Sequence, residues 1–249
     1  MLAACVLPVA AWPFRALADE AADFLAGQTK SCANCSLENA PLKRKDLSGA
    51  DLSGANLTGA VMHRAKLGRV KFDGANLTEA NLNKTELQNA SFVGAKAKNA
   101  MFYESDLTAA DLSGADLTGA KMGHARLVRA KLDHAQITEA MLSGARLDDA
   151  SLRQADLSRT NLVEASLRRS ALEGANLDNA GLVNAVLREA NLKGANLTEA
   201  DLYGADLSDA DLSGADLSGA RLTSAILTGA KLDGVKLTGT IMPDGTVHE

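Results

Sequence analysis

Apolar residues recur at every fifth position of this chain, and the spacing does not slip between Leu37 and Met242. The positions ending in 2 or 7 in that span number 42, of which 34 are Leu and the other eight are also apolar. The positions ending in 5 or 0 form a second register, in which 33 of 42 residues are Ala and only Lys45 is not small. Such a fixed period is the mark of a repeat architecture, so we interpret it before any single motif.

A five-residue period cannot be buried by one α-helix or by a straight strand. Five residues advance an α-helix by about 140°, so leucines at this spacing would spiral around it. In a strand, side chains alternate between faces, so an odd spacing sends consecutive leucines to opposite sides. Within one repeat, however, the small residue and the Leu are two positions apart and share one side of a short extended segment. The pattern therefore predicts a solenoid that turns after every repeat and points both registers inward.

Glycine and short polar residues occupy the positions where such a solenoid has to turn. Of the 21 Gly residues, 16 lie two positions after the Leu register, as at Gly49 and Gly54. Glycine there predicts a tight turn with a positive φ angle. Asn, Ser and Thr fill other outward positions, where short polar side chains bond to turn backbone.

Segments such as ADLSG (50–54) and ANLTE (195–199) resemble the A-(D/N)-L-x-x motif of the pentapeptide-repeat family. The resemblance extends over 208 of the 249 residues, from 35 to 242. It implies an all-β fold, a right-handed quadrilateral β-helix with four repeats in each coil. The 42 repeats then make 42/4 = 10.5 coils. At about 4.8 Å per coil, the rod would be roughly 50 Å long.

The chain divides into a leader, a rod and short flanks. Residues 1–18 are predicted to be a secretory signal peptide, because an apolar stretch precedes a small-x-small sequence. We predict an N-terminal cap at 19–34, the β-helix at 35–242 and a C-terminal tail at 243–249. No membrane span is expected, because charged residues interrupt every other window of sufficient length. The leader favours a periplasmic or secreted location, and without export the protein would be cytoplasmic.

Two cysteines, Cys32 and Cys35, remain as an even pair once the leader is removed. Both fall in inward registers of the first coil. In an oxidising compartment they are predicted to form a disulfide, and the alternative is a pair of buried thiols. Zinc is not favoured, because no second Cys or His pair accompanies them. We expect neither a metal nor a cofactor.

No constellation of catalytic residues stands out from the repeat. The carboxylates recur with the period, which is typical of turn and solubility residues, and no Gly-rich phosphate loop follows a strand and opens a helix. The formal net charge of −5 comes from 26 basic and 31 acidic residues. This balance is not that of a nucleic-acid-binding protein. The sequence therefore indicates a protein that is not an enzyme and does not bind nucleic acid.

Outward apolar residues concentrate on one face of the predicted rod. With four repeats per coil, residues 20 positions apart share a face. We name the face that carries Leu82 and Leu202 the tyrosine face, because both Tyr residues of the chain lie on it. Its outward apolar residues are Val61, Met101, Tyr103, Met141, Val163, Val183 and Tyr203. Their concentration predicts a contact surface for a protein partner or for self-association.

Two functions from different classes fit these features. The first is a non-enzymatic structural or protein-binding rod that acts through the tyrosine face. The second follows from the resemblance, since some pentapeptide-repeat proteins mimic duplex DNA and bind a type II topoisomerase such as gyrase. The weak acidity of each face and the lack of a C-terminal helical pattern favour the first.

Overall fold

The backbone repeats every 20 residues along most of residues 17–249, the part of the chain that the computed structural model describes. Each five-residue repeat contributes a single β-bridge residue, which pairs in parallel with the residue 20 positions later. This ladder runs from Ser31↔Asp51 to Arg221↔Ile241. Four repeats therefore complete one coil, and the predicted right-handed quadrilateral β-helix is confirmed.

The N-terminal end of the rod is covered by a helix, α1, at Leu17–Leu25. Phe24 is buried and Leu25 packs against the core. The ammonium of Lys45, the charged member of the Ala register, donates to the carbonyl oxygen of Leu25 at 2.6 Å. A helix leaves its last carbonyls without partners, so this bond satisfies one of them and explains an inward lysine in the first coil.

The predicted boundaries at this end stay predictions. The proposed leader, 1–18, lies outside the described residues apart from its last two positions, which begin α1. The ladder begins at Ser31, four residues before the predicted start of the rod at 35. The earlier start arises because Cys32 already occupies a Leu position.

The two inward registers form one continuous core. Every residue of the Leu register from Leu37 to Leu222 is buried, and so is every residue of the small register from Ala50 to Ala225. The few hydroxyl residues of the small register donate to backbone carbonyls, four of them within the same turn and Thr240 to Leu217 of the previous coil. Thr85, for example, donates to the carbonyl of Leu82 at 2.6 Å. Because its hydroxyl keeps a hydrogen bond, it costs little to bury.

Aromatic rings fill the least regular stretch of this core, where Ala97 replaces a leucine. The rings of Phe72 and Phe92 stack with their centroids 4.9 Å apart. Phe92 and Phe102 meet edge to face at 6.0 Å. All four residues are buried, so the larger rings supply volume beside the smaller side chain and keep the interior packed.

Backbone bonds account for four of the five amide groups in a regular repeat. Leu57 N–H donates to Asn76 O of the next coil at 2.7 Å, and Asn76 N–H donates back to Ala55 O at 2.9 Å. Ala60 N–H closes the turn on Leu57 O at 3.0 Å, while the residue two after the Leu also donates to the next coil. Within the described coils, the N–H one position after the Leu finds no backbone acceptor.

The Asp or Asn that precedes the Leu supplies this missing acceptor. Asp51 Oδ1, for example, accepts the N–H of Ser53 at 3.1 Å. This Asx turn gives a physical reason for the D/N position of the motif. The hydrogen bonds from the side chain and backbone of Ser53 also lower the pKa of Asp51. Hydrogen bonds from the side chain and backbone of Ser218 are the main reason that the pKa of Asp216 falls to about 2.

Where another residue precedes the Leu, the cap can come from the previous coil. Asp133 Oδ1 accepts the N–H of Arg153 at 2.9 Å and the hydroxyl of Ser151 at 2.5 Å. Asn83 Oδ1 accepts the N–H of Tyr103 at 2.8 Å. The N–H one position after the Leu is thus capped either by the residue that precedes the Leu or by a side chain of the previous coil. Such a cap is needed because a buried or partly buried N–H group requires an acceptor.

Every turn places one residue in the left-handed region, as the glycine pattern predicted. The residue two after the Leu register has a positive φ in 41 of the 42 repeats, 16 with Gly and 25 with other residues, and in the last turn Gly245 takes this conformation in place of Asp244. Since only this residue has φ > 0 and the turn is closed from Leu C=O to Ala N–H, the turns are of type II.

The C-terminal end of the rod is only partly covered. The tail turns back so that Val247 pairs in antiparallel fashion with Ile241, and Met242 N–H donates to Thr246 O at 2.7 Å. Leu232, on another edge of the last coil, remains 38% exposed. The tail therefore protects one of the four edges.

Candidate binding face

The structure brings the seven predicted contact residues onto one side of the rod, because they fall on repeats related by the 20-residue ladder. Met101, Val163 and Val183 are half-buried. Four others are exposed by 38 to 53%, namely Val61, Tyr103, Met141 and Tyr203.

This concentration distinguishes the tyrosine face from the other lateral faces. Eight large hydrophobic residues are exposed among the described residues, and four of them belong to the tyrosine face. Val93 lies on the opposite face, and the other three, Ile226, Leu232 and Val247, belong to the last coil or the tail. Apolar area gathered on one side is typical of an interaction surface.

A groove interrupts the middle of the tyrosine face, where two small residues follow a large one. Along the row of residues that follow the Leu register, Tyr103 is succeeded coil by coil by Gly123, Ser143 and Val163. The groove encloses about 370 Å³, which is within the usual range of binding pockets. We name it the Tyr103 groove. Around its two small residues it is lined chiefly by Met101, Tyr103, Lys121, His124 and Met141.

Tyr103 is held in place by its surroundings. Its backbone N–H is capped by Asn83, and its ring meets the His124 ring edge to face at 5.7 Å. Its hydroxyl donates to Glu104, which raises the pKa of Tyr103. The Glu104 carboxylate in turn pairs with Lys84 at 3.0 Å. The aromatic wall of the groove is therefore packed against neighbouring side chains of the protein itself.

The charge of the groove is not balanced in the same way. Lys121 is exposed between Met101 and Met141 in the row that precedes the Leu register. Its ammonium makes no hydrogen bond or ion pair within residues 17–249. The described residues that line the groove include no Asp or Glu, and the carboxylate of Glu104, next to Tyr103 in the chain, is already paired with Lys84. The groove thus combines apolar walls with one unneutralised cation.

Tyr203, toward the C-terminal end of the face, has a different environment. The guanidinium of Arg221 lies 5.1 Å from its ring centroid, a cation–π contact. Arg221 is also bound by both carboxylate oxygens of Asp201, at 2.8 and 2.6 Å. One side of the Tyr203 ring is therefore covered by the protein itself, whereas Tyr103 borders open space.

The two cysteines lie away from this face, in the first coil. The structure joins Cys32 and Cys35 in a disulfide with their Cα atoms 5.2 Å apart, and both residues are fully buried. Within the described part of the chain, no three His, Cys, Asp or Glu residues are grouped so that they could hold a metal ion. The helix that is described there, α1, is neither long nor apolar enough to cross a membrane.

The geometry defines a class of protein, namely a repeat solenoid that presents long lateral faces. The family model for pentapeptide repeats matches the chain in 8 copies, over residues 31–69, 71–108, 110–149, 145–182, 172–209, 180–219 and 205–242. The chain belongs to the pentapeptide repeat family.

Three solved structures illustrate how the chain relates to other members. HetL, a pentapeptide repeat protein involved in heterocyst differentiation regulation in the cyanobacterium Nostoc sp. strain PCC 7120, is 35% identical, with a TM-score of 0.82. That match covers 84% of this chain and 94% of HetL. The plasmid-mediated fluoroquinolone resistance protein QnrB1 is 21% identical over 67% of this chain and 86% of its own, with a TM-score of 0.32.

A pentapeptide repeat protein of the Arabidopsis thaliana thylakoid lumen is 29% identical over 51% of this chain and 71% of its own, with a TM-score of 0.30. HetL shares the course of the rod over most of its length. No curated protein matches the chain.

Proposed function

We propose that this protein is a non-enzymatic binding rod that docks a protein partner through its tyrosine face. The observation that carries the proposal is the gathering of exposed apolar side chains on one lateral face, with a preformed groove at its centre. A stacked solenoid presents this surface with little conformational freedom left to lose, which reduces the entropic cost of binding. The family itself is a structural and binding fold.

Two further observations support this proposal. Many aspartates of the repeat, such as Asp111 and Asp216, are engaged in turn caps and ion pairs, and the flat faces of the described rod enclose no acid–base pair of the kind that catalysis needs. HetL, the similar protein, is involved in the regulation of heterocyst differentiation, and a protein-binding rod is suited to a regulatory role.

A periplasmic or secreted location is part of the proposal. A disulfide such as Cys32–Cys35 persists in oxidising compartments and is uncommon in reducing ones. The apolar leader predicted from the sequence agrees with export. Sequencing the N-terminus of the mature protein from fractionated cells tests this, since export predicts removal of the leader and retention in the cytoplasm predicts the intact chain.

The alternative, mimicry of duplex DNA toward a type II topoisomerase, is less well supported by the charges. A mimic needs rows of carboxylates free to replace phosphates. On the face that carries Leu117, which has the largest excess of acidic residues, Asp116 pairs with Lys98 at 3.2 Å and Asp216 pairs with Lys236 at 3.0 Å. A gyrase supercoiling assay in which the protein neither inhibits nor protects the enzyme would remove this alternative.

Photocrosslinking from matched positions tests the proposed function. Val183 on the tyrosine face and Val93 on the opposite face occupy the same position of the repeat. Benzoylphenylalanine at Val183 is expected to yield a discrete crosslinked species in cells, whereas Val93 yields none. Replacing Tyr203, one coil beyond Val183, with Ala should weaken that product. Equal crosslinking from both valines would contradict a face-specific function.

A further inference from the structure

We infer that the Tyr103 groove receives a protein segment in which a large apolar or aromatic side chain lies next to an Asp or Glu. The inference rests on the proposed function, because it names the chemistry of the partner at one part of the tyrosine face. Three features of the groove carry it, namely its shape, its rigidity and its unbalanced charge.

The shape selects an apolar side chain. The space above Gly123 and Ser143 is bounded by the Tyr103 ring on one side and by the methionines Met101 and Met141 on another. Thioether and aromatic groups make favourable contacts with aromatic rings. A volume of about 370 Å³ accommodates one large side chain and part of its backbone.

The rigidity of the aromatic wall favours a defined occupant over general stickiness. The Tyr103 ring meets His124 edge to face and its hydroxyl interacts with Glu104, while Asn83 caps the backbone N–H of the same residue. A Cβ atom added at Gly123 would lie 3.4 Å from the Tyr103 ring, so the ring rests against the glycine backbone. A preformed pocket of this kind costs little ordering when it is filled.

The charge selects a carboxylate beside that side chain. Lys121 is without an internal partner, no lining residue described for the groove is acidic, and the carboxylate of Glu104 beside Tyr103 is neutralised by Lys84. A partner carboxylate would complete the charge pattern, and a partner lysine would meet an unpaired cation. Lys121 and Gly123 are two positions apart in one repeat, about 6–7 Å along an extended chain. The acidic and apolar groups of the partner therefore belong to adjacent residues.

Methionine methyl groups provide the readout. With 13C-methyl methionine, Met101 and Met141 report on the groove, while the fully buried Met62 and Met122 serve as internal controls. The probe is the peptide acetyl-Gly-Gly-Phe-Asp-Gly-Gly-amide, compared with peptides that carry Phe-Lys or Ala-Asp in place of Phe-Asp. The Phe-Asp peptide should shift both groove methyls saturably and leave the buried ones unchanged. The other two peptides should bind at least several-fold more weakly.

Two variants connect the shifts to the groove. Gly123→Leu should fill the space and abolish the shifts, and its φ is not positive, so the backbone accepts a side chain. Gly68→Leu is the matched control, because it has the same position in the repeat on another face with only a backbone oxygen at 3.9 Å. Lys121→Gln should weaken binding of the Phe-Asp peptide about threefold at low salt, because it removes the charge. The variant should still bind the Phe-Asp peptide more tightly than the Ala-Asp peptide, because the apolar space is unchanged.

The inference is overturned if the groove methyls stay still, if the Phe-Lys peptide shifts them as much as Phe-Asp, or if Gly123→Leu changes nothing. The proposed function is judged separately at Val183, three coils away. A crosslink there that survives in Gly123→Leu, together with silent groove methyls, would refute the inference and leave the proposed function standing. If benzoylphenylalanine at Val183 gives no crosslink in a protein whose groove is otherwise native, the proposed function itself is refuted.

Discussion

The cap that one coil provides for the next leads to a sharp prediction at Asp133. Its Oδ1 accepts the N–H of Arg153 at 2.9 Å and the hydroxyl of Ser151 at 2.5 Å. Asp133→Ala removes both bonds and leaves one backbone donor without a protein acceptor. Loss of a comparable side-chain cap at a helix start costs about 1–2 kcal/mol, and a bond to a charged acceptor falls in the same range. We therefore expect a local destabilisation of about 1–2 kcal/mol.

Hydrogen exchange at a single amide measures this loss directly. Solenoids unfold in parts, so a global midpoint underestimates a change confined to one coil. Since 1.4 kcal/mol is a factor of ten, the Arg153 amide should exchange about 5 to 30 times faster in Asp133→Ala. Urea unfolding followed by circular dichroism should show a smaller decrease in the same direction.

A rescue and a control make the reasoning refutable. Ser151→Asn, added to Asp133→Ala, supplies the cap from within the repeat, as Asp111 does for Ser113 at 3.1 Å, and should restore most of the protection. Asp178→Ala is the control, because Asp178 has the same position in its repeat as Asp133. The corresponding N–H one coil later, that of Thr198, is already capped by Asn196 at 3.1 Å. If Asp133→Ala and Asp178→Ala behave alike, or if Ser151→Asn restores nothing, the account of the caps is wrong.

Three other predictions follow from the fold. Asp51, Asp111 and Asp216 cap turns within their own repeats and have lowered pKa values when folded. Their contribution to stability is therefore full above the ordinary pKa of 3.8 and is lost as pH falls toward the value of about 2 at Asp216. The urea midpoint should be flat above about pH 5, fall between about pH 4 and pH 2, and fall less in Asp216→Asn, whereas a flat profile throughout would contradict the shifts. Gly114→Ala should destabilise by about 1 kcal/mol in urea titration through its φ of +63° alone, since nothing lies within 4 Å of the added Cβ. Ala145→Leu, at a fully buried position, should cost about 1–3 kcal/mol by overpacking, and an unchanged melting temperature would show that the residue does not point inward.

Features that depend on the five-residue period alone could be predicted from the sequence. Burial of the Leu and Ala registers and the positive φ of the turn position need only the spacing and the residue types. The seven residues of the tyrosine face were also placed on one side by counting in twenties. Their role in binding stays a prediction, as do the chain boundaries at 18, 34 and 242.

Features that depend on contacts between coils were missed. The Asn83 cap on Tyr103 joins residues 20 positions apart, and the register alone does not tell which outward side chain turns toward the next coil. The Tyr103 groove arises because Gly123 has no side chain and Ser143 a small one, whereas an outward apolar pattern draws attention only to large residues. Rows read at intervals of 20 contain the signal, because small residues between a Tyr and a Val mark a depression.

The 20-residue register also restricts how this rod can change in length. An insertion or deletion of one repeat would preserve the buried registers, yet it would rotate everything beyond it by a quarter turn about the long axis. The groove beside Tyr103 and the ring of Tyr203 would then look in different directions. Growth by whole coils keeps the two aligned and alters only the distance between them. Surfaces built on this scaffold are therefore lengthened in units of four repeats, while smaller steps redistribute their side chains among new neighbours.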